Sequence, residues 1–437
     1  MAQEYAAGAL AQTRFKAVMA EQNPCSAQLP PTPTKLAAMS ELTRGLFVRT
    51  HRAVGGAAAD HADLLLGNDE LALLLINVAA TVREGYSARD LRRADFRARV
   101  ITASEFVHHS SGQHGHTLSL PAANLPDAKP RGVLVIAQAR MGRRVIADAI
   151  QDFIGRNPRP LTVEVSQGQI ASYWMLPVLR VQWPAGGSLR KFAEILLRSF
   201  DAAMGTRLSL LRHGPFRRNE VDIRSALCAL GVATNLGLLI VERINTRDAS
   251  GPSAEKLWDT LGQFTRITGI PVLSMATPGA AAALSEQSSA AGELSASGLH
   301  TIVPQERGSR KWSAVSKAIF DANLRTQEFC RPPQWFDDAL WDVSRALNGL
   351  ASGVCRYVDS RLSSEQLVHL DEARFRELAA EALVLEQPHI DILHSLASPG
   401  RYTLTSLRRH GDWLPLRHAL ATVPRLLLEQ QSYAVIQ

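Results

Sequence analysis

The chain has 437 residues, enough for two or three domains with a sizeable buried core. Hydrophobic residues make up 46% and charged residues 20%, as in an ordinary soluble globular protein. The 48 basic residues exceed the 41 acidic residues by seven, a mild excess that permits binding to a phosphate backbone without requiring it.

No segment approaches the ~18 consecutive apolar residues of a membrane span, and the N-terminus lacks the apolar stretch of a signal peptide. The cysteines are scattered without C-x-x-C spacing, which argues against a zinc ribbon and against a disulfide scaffold. They are Cys25, Cys228, Cys330 and Cys355. The expected location is therefore the cytoplasm.

In chain order, residues 1–38 are predicted to form a helix and a Pro-rich linker, and residues 39–129 a helical and irregular N-terminal region. Four histidines within nine residues could bind a metal ion, but their Ser/Gly-rich setting favours a polar loop, and no metal site is predicted. They are His108, His109, His114 and His116.

Residues 130–310 alternate short apolar runs with segments of helical spacing. The runs are GVLVIA, PVLRVQWP, LGLLIVERI and IPVLSMATP. Strands alternating with helices of this length predict βαβ units and a parallel sheet. Residues 311–437 show helical spacing and are predicted to form a C-terminal lid and tail. The expected fold class is α/β, with a P-loop-like parallel sheet between two helical regions.

The turn after the first run resembles a phosphate-binding loop, whose working pattern is G-x-x-x-x-G-K-[ST]. Ala137 replaces the first glycine, whereas Gly142 retains the second. Arg143 stands at the lysine position and keeps its positive charge in a wider group. Arg144 stands at the hydroxyl position, where it has no oxygen to offer Mg²⁺. The other interpretation is an ordinary strand-to-helix turn with a basic helix start.

The run LLIVER has the apolar residues and the acid of a Walker B strand. Glu242 takes the place of the metal-holding acid, and Arg243, which cannot accept a proton, that of the catalytic glutamate. The alternative is a buried strand that ends in a surface charge. On the next strand, Ser274 and Thr277 are candidate sensor residues, although Thr277 is equally suited to capping a helix.

The stretch from PRGVLVIAQARMGRR to GIPVLSMATPGAAAAL, and its continuation to about residue 395, resembles the TniB/TnsC family of transposition AAA+ proteins. The resemblance implies ATP as cofactor, homo-oligomers on double-stranded DNA, and a link to a transposase. Because the lysine, the hydroxyl and both acids are replaced, we expect a pseudo-ATPase that does not place Mg²⁺. The expected nucleotide-binding residues are Ala137, Gly142, Arg143, Arg144, Glu242 and Thr277.

Three arginine clusters could neutralise DNA phosphates, and the last of them is Arg401, Arg408 and Arg409. The cluster preferred for DNA binding has few acidic neighbours and consists of Arg207, Arg212, Arg217 and Arg218. The cluster from Arg89 to Arg99 suits a solvated helix face paired with Asp90 and Asp95 equally well. The predicted function is regulation of DNA transposition. An active P-loop ATPase and an interaction scaffold, for instance in phage defence, are the alternatives.

Overall fold

The computed structural model describes most of the chain outside the N- and C-terminal segments and several internal segments. The described residues are 23–44, 64–111, 128–166, 168–210, 216, 220–396 and 402–423. Arg212, Arg217 and Arg218 lie outside them, as do the side chains of the four clustered histidines. Among the described helices, none combines the length and apolar character that crossing a bilayer requires.

Helices and strands alternate through the middle of the chain, and helices flank that region on both sides. In chain order they are α1 (Pro24–Ala27), α2 (Lys35–Leu42), α3 (Asp69–Ser87), α4 (Ala94–Ser111), β1 (Gly132–Ala137), α5 (Arg143–Ile154), β2 (Arg159–Ser166), β3 (Gln169–Met175), β4 (Val178–Gln182), α6 (Leu189–Met204), α7 (Glu220–Ala233), β5 (Leu238–Ile244), α8 (Thr246–Ala249), α9 (Pro252–Thr268), β6 (Val272–Ala276), α10 (Pro278–Ser285), α11 (Ser288–Leu294), β7 (Gly298–Ile302), α12 (Arg310–Asn323), α13 (Phe336–Ser344), α14 (Asn348–Arg361), α15 (Ser364–Val368), α16 (Glu372–Ala382), α17 (Gln387–Ser395), α18 (Leu404–Arg409) and α19 (Leu416–Leu420).

The main sheet has five parallel strands in the order β4-β5-β6-β1-β7. The predicted α/β class with a P-loop-like parallel core is therefore confirmed. All four apolar runs identified in the sequence are strands of this sheet. The sequence pattern did not reveal the fifth strand of this sheet, β7. It also did not reveal β2 and β3, which form a separate antiparallel hairpin.

The central strands are buried along their whole length because helices cover both faces, as expected of a parallel sheet. The first residue of β1 shows how closely the layers approach. A Cβ built on Gly132 would lie 2.2 Å from Cα of Leu294 in α11, so only glycine fits there.

One continuous apolar core joins the N-terminal helices, the sheet and the C-terminal helices, from Cys25 to Ile390. A smaller second cluster holds the end of the described chain. In it, side chains of α18, α19 and the residues around them pack against Ala282 of α10 and Ile392 of α17. Residues 402–423 are thereby placed beside the strand ends where β1 and β6 turn into helices.

Candidate functional site

The loop between β1 and α5 has the backbone form that a tight strand-to-helix turn requires. Arg140 and Gly142 both have positive φ, of 65° and 78°. Glycine adopts this conformation at no steric cost, whereas arginine does so only when its surroundings hold it. Gly142 is the N-cap of α5 and no side chain caps this helix start, where the first amides of a helix have no acceptor within the helix itself.

C-terminal segments of the chain hold the rest of this loop. The Ala139 amide donates to the Asp412 carbonyl at 2.8 Å, and the Gln138 side chain donates to the Trp413 carbonyl. Arg140 pairs with Glu386 at 2.7 Å. Its carbonyl accepts the Gly349 amide, also at 2.7 Å. The loop is therefore fixed by residues that are more than 200 positions away in sequence.

The predicted site residues on β1 and α5 differ in their surroundings. Ala137 is buried at the end of β1, next to Ile302 of β7. Arg143 donates from Nη1 to the Ile244 carbonyl at 3.1 Å, which joins the loop to the end of β5. Burial lowers the pKa of Arg143 to about 10, although the charges of Asp412 and Glu242 oppose that shift. The Arg144 side chain is 69% exposed.

Glu242 lies near the same end of the sheet, as the sequence predicted, but its carboxylate is already engaged. It is 6% exposed and accepts from Nη2 of Arg180, a residue of the neighbouring strand β4. Nη1 of the same guanidinium contacts Asp148 of α5. Burial disfavours the charge of Arg180, yet the hydrogen bonds and charges of Glu242 and Asp148 outweigh it and raise the Arg180 pKa.

This arrangement does not fit Mg²⁺. A guanidinium contacts the carboxylate that would hold the metal ion, and Arg144 has no oxygen with which to ligate it. Within the part of the chain that the structure describes, no group of three or more His, Cys, Asp or Glu side chains could hold a metal ion.

The two candidate sensor residues have different positions. Ser274 is fully buried, and its hydroxyl has no hydrogen-bond partner among the described residues. It lies in the middle of β6, beside Leu134 of β1 and Val241 of β5, and not at the edge of the sheet. Thr277 does reach the edge, where it caps α10 by accepting from the Ala280 amide and also donates to Oδ1 of Asp412 at 2.5 Å. The capping interpretation of Thr277 is confirmed.

Asp412 is the residue that sequence reasoning missed. Its Oδ1 accepts from the Thr246 amide at 2.7 Å and from the Thr246 hydroxyl at 2.6 Å, in addition to Thr277. The Asp412 carboxylate therefore accepts hydrogen bonds from the polar groups that follow β5 and β6. The backbones approach closely here, since a Cβ on Gly279 would lie 2.1 Å from the Thr246 hydroxyl.

One of the four arginines predicted to bind DNA lies among the described residues. Arg207 is exposed just after α6, while its three predicted partners lie outside the described residues. In the cluster from Arg89 to Arg99, Arg89 is buried and donates to the carbonyls of Gly85 and Leu236. Arg92 pairs with Asp90 and Arg93 with Asp95. In this cluster, therefore, one arginine is buried in the fold and two are paired with acidic side chains.

Two histidines link α17 to the Asp412 segment. Nδ1 of His389 lies 2.7 Å from Nδ1 of His410, and the His389 ring stacks on Trp413. Burial lowers the pKa of both rings; the charge of His410 adds to the shift at His389, and Arg409 adds to that at His410. One Nδ1 must donate a proton and the other must accept it, so the contact cannot form when both rings are positively charged.

We expect the protein to lose stability as the pH falls from about 7.5 to about 5.5. The folded pKa values of His389 and His410 are depressed, so the unfolded chain binds more protons near its own pKa of about 6.5. The stability is present above that pKa and is lost as the pH falls towards the folded values. The thermal unfolding midpoint measured across this range checks the sign.

His410→Gln should reduce this pH dependence, whereas His369→Gln, at an exposed position of the surface, should leave it unchanged. Part of the dependence should remain, because burial also lowers the pKa of other histidines. These are His300, His394 and His418. An equal slope in the two variants would show that the His389–His410 contact is not its source.

Comparison with known proteins adds no relative to this picture. The chain matches no protein-family model, and a search of curated proteins gave no match.

Proposed function

We propose that this protein is an AAA+-like pseudo-ATPase that regulates DNA transposition. In this proposal it binds double-stranded DNA as a homo-oligomer and couples that DNA to a transposase. The order of its strands and motifs resembles the TniB/TnsC family, and its site lacks the groups that hydrolysis needs. The observation that carries the proposal is the ion pair of Arg180 with Glu242, which occupies the metal-holding carboxylate.

Two further features support a site that does not hydrolyse ATP. Arg243 stands where a catalytic glutamate would activate water, and a guanidinium cannot accept a proton at physiological pH. The hydroxyls of Thr246 and Thr277 at the same edge of the sheet donate their hydrogen bonds to Asp412. Support for DNA as a partner comes from the family resemblance, the net charge of +7 and the exposed Arg207.

We expect ATP turnover at background level, with no dependence on Mg²⁺, because Arg180 engages the carboxylate of Glu242 that would hold the ion. A phosphate-release assay with and without Mg²⁺ checks this. Glu242→Gln should leave the background rate unchanged. Vigorous Mg²⁺-dependent turnover that disappears in Glu242→Gln would instead identify an active ATPase.

We also expect the full chain to bind duplex DNA at low salt. The logarithm of the affinity should fall linearly with the logarithm of the salt concentration, by about 0.9 for each phosphate contacted. Fluorescence anisotropy with a labelled duplex measures this dependence. If no duplex binds even at low salt, the DNA part of the proposal is wrong. A transposase encoded beside this protein is the expected genomic setting.

A further inference from the structure

A cleft of about 530 Å³ opens beside the Arg180–Glu242 ion pair. Residues of four elements line it: α5, β4, α6 and β5. Its volume is within the range of small-ligand sites, but those sites are mostly apolar. This cleft instead contains four arginines and two carboxylates, which leaves two net positive charges. The ligand that such a lining favours is an anion.

The inner charges of the cleft are already paired. Arg180 contacts Asp148 through Nη1 and Glu242 through Nη2, and only 15% of its side chain is exposed. One guanidinium therefore compensates one of the two carboxylate charges. It does so at the place where a Walker-type site would use a metal ion. These three residues together carry one net negative charge, so the net positive charge of the cleft comes from its other arginines.

The outer charges are three arginines from three different elements: Arg144 of α5, Arg198 of α6 and Arg243 of β5. Arg198 and Arg243 are exposed and form no ion pair among the described residues. Arg144 has the carboxylate of Asp148 at 4.0 Å. Three exposed guanidinium groups thus line one cleft, and two of them form no ion pair among the described residues.

The backbone at Arg243 is unusual in a way that supports this interpretation. Its φ is 60°, and the pairing of β5 with β6 is interrupted by a bulge between Val241 and Ile244. A non-glycine residue in this conformation is strained, and such strain concentrates at functional sites. Bulges re-aim side chains next to such sites. Here the bulge places Arg243 on the wall of the cleft.

We propose that Arg144, Arg198 and Arg243 form a site that binds phosphate groups without a metal ion. A guanidinium presents its donors as a planar fork that matches two phosphate oxygens. Arg180 engages the carboxylates of Asp148 and Glu242, so these are not left unpaired in the cleft. The phosphates come either from the DNA backbone or from a small polyphosphate such as the chain of a nucleotide. The inference rests on the proposed function only in naming DNA as one of these two sources.

The experiment uses the full chain in buffer with EDTA. The two probes are inorganic tripolyphosphate and a fluorescein-labelled DNA duplex. The test variant combines Arg198→Gln with Arg243→Asn, since Asn tolerates positive φ. The control variant combines Arg356→Gln with Arg331→Asn, two exposed arginines outside the cleft, and so removes the same charge. Circular dichroism verifies that both variants are folded.

We expect wild type and control to bind at least one probe in EDTA, and the test variant to bind that probe at least about tenfold more weakly. If the probe is the duplex, the salt slope should also fall by about two, one for each lost phosphate contact. An effect on the duplex identifies DNA as the source. An effect on tripolyphosphate alone identifies a small polyphosphate, and wild type without duplex binding then refutes the DNA part of the proposed function.

Two results would overturn the inference. They are equal affinities of the test and control variants for both probes, and failure of wild type to bind either probe in EDTA. If wild type binds the duplex and the test variant binds it equally well, the DNA part of the proposed function stands and the cleft is not the place of contact.

Discussion

Replacing Arg180 with Met is expected to lower the free energy of unfolding by about 3–5 kcal/mol, the cost of removing one partner from a buried ion pair. Arg180 compensates two carboxylates at once, Asp148 on α5 and Glu242 on β5. Glu242 is 6% exposed and would keep a largely buried charge without its hydrogen-bonded counterion. Chemical denaturation followed by circular dichroism measures the change.

A double variant tests whether this loss arises from the unpaired charge. Arg180→Met with Glu242→Leu removes both buried charges and should recover part of the stability, because no carboxylate then remains unpaired on β5. Arg356→Met, on the exposed surface, controls for loss of an arginine elsewhere. A loss below about 0.5 kcal/mol in Arg180→Met, the range of ordinary surface substitutions, would show that the ion pair contributes little to stability.

Replacing Asp412 with Ala is expected to weaken the docking of residues 402–423 on the sheet by about 3 kcal/mol. Three donors lose their acceptor at once, and hydrogen bonds to a charged group contribute about 1.5–3 kcal/mol each without adding fully. The Thr277 hydroxyl is buried, so water cannot easily replace Asp412 as its hydrogen-bond acceptor. The loss is expected mainly as local opening, because a separate small apolar cluster holds this segment.

Amide hydrogen exchange measures this opening at two amides that the segment covers. The amide of Ala139 donates to the Asp412 carbonyl, and that of Gly279 donates to the Gly411 carbonyl. Both should lose protection by a factor on the order of 100 in Asp412→Ala. Asp412→Asn is the matched control. All three bonds go to Oδ1, so an amide oxygen keeps the acceptor, and a smaller loss is expected. Unchanged protection in Asp412→Ala would refute the docking role.

Several features of the site were visible in the sequence because they depend on neighbouring residues. The run GVLVIA, followed by a turn with Gly142 and a segment of helical spacing, indicates a strand, a tight turn and a helix. LLIVER indicates a buried strand with Glu242 near its end. Because the strands are parallel, their carboxyl ends lie at one edge, so the proximity of the Gly142 turn and Glu242 could be predicted.

The partners of these residues could not be predicted in the same way, since they come from distant parts of the chain. Arg180 was visible only as a charge within an apolar run, and its pairing with Glu242, 62 positions later, depends on which strands are adjacent. Asp412 lies 135 positions from Thr277 and 166 from Thr246, in a segment whose helical spacing predicts nothing about the sheet edge. The same holds for Arg89, an apparent surface charge that the fold buries.

The sequence by itself determined the alternation of strands and helices, the replaced phosphate-loop and Walker B residues, and thus the expectation of impaired hydrolysis. Local spacing decides these features, because backbone hydrogen bonding and side-chain periodicity act over a few residues. Only the tertiary structure decided that Arg180 compensates Glu242, that Asp412 occupies the strand ends, and that Arg144, Arg198 and Arg243 share one cleft. Such contacts depend on strand order and on the docking of the C-terminal segment, which side-chain packing across the whole core determines.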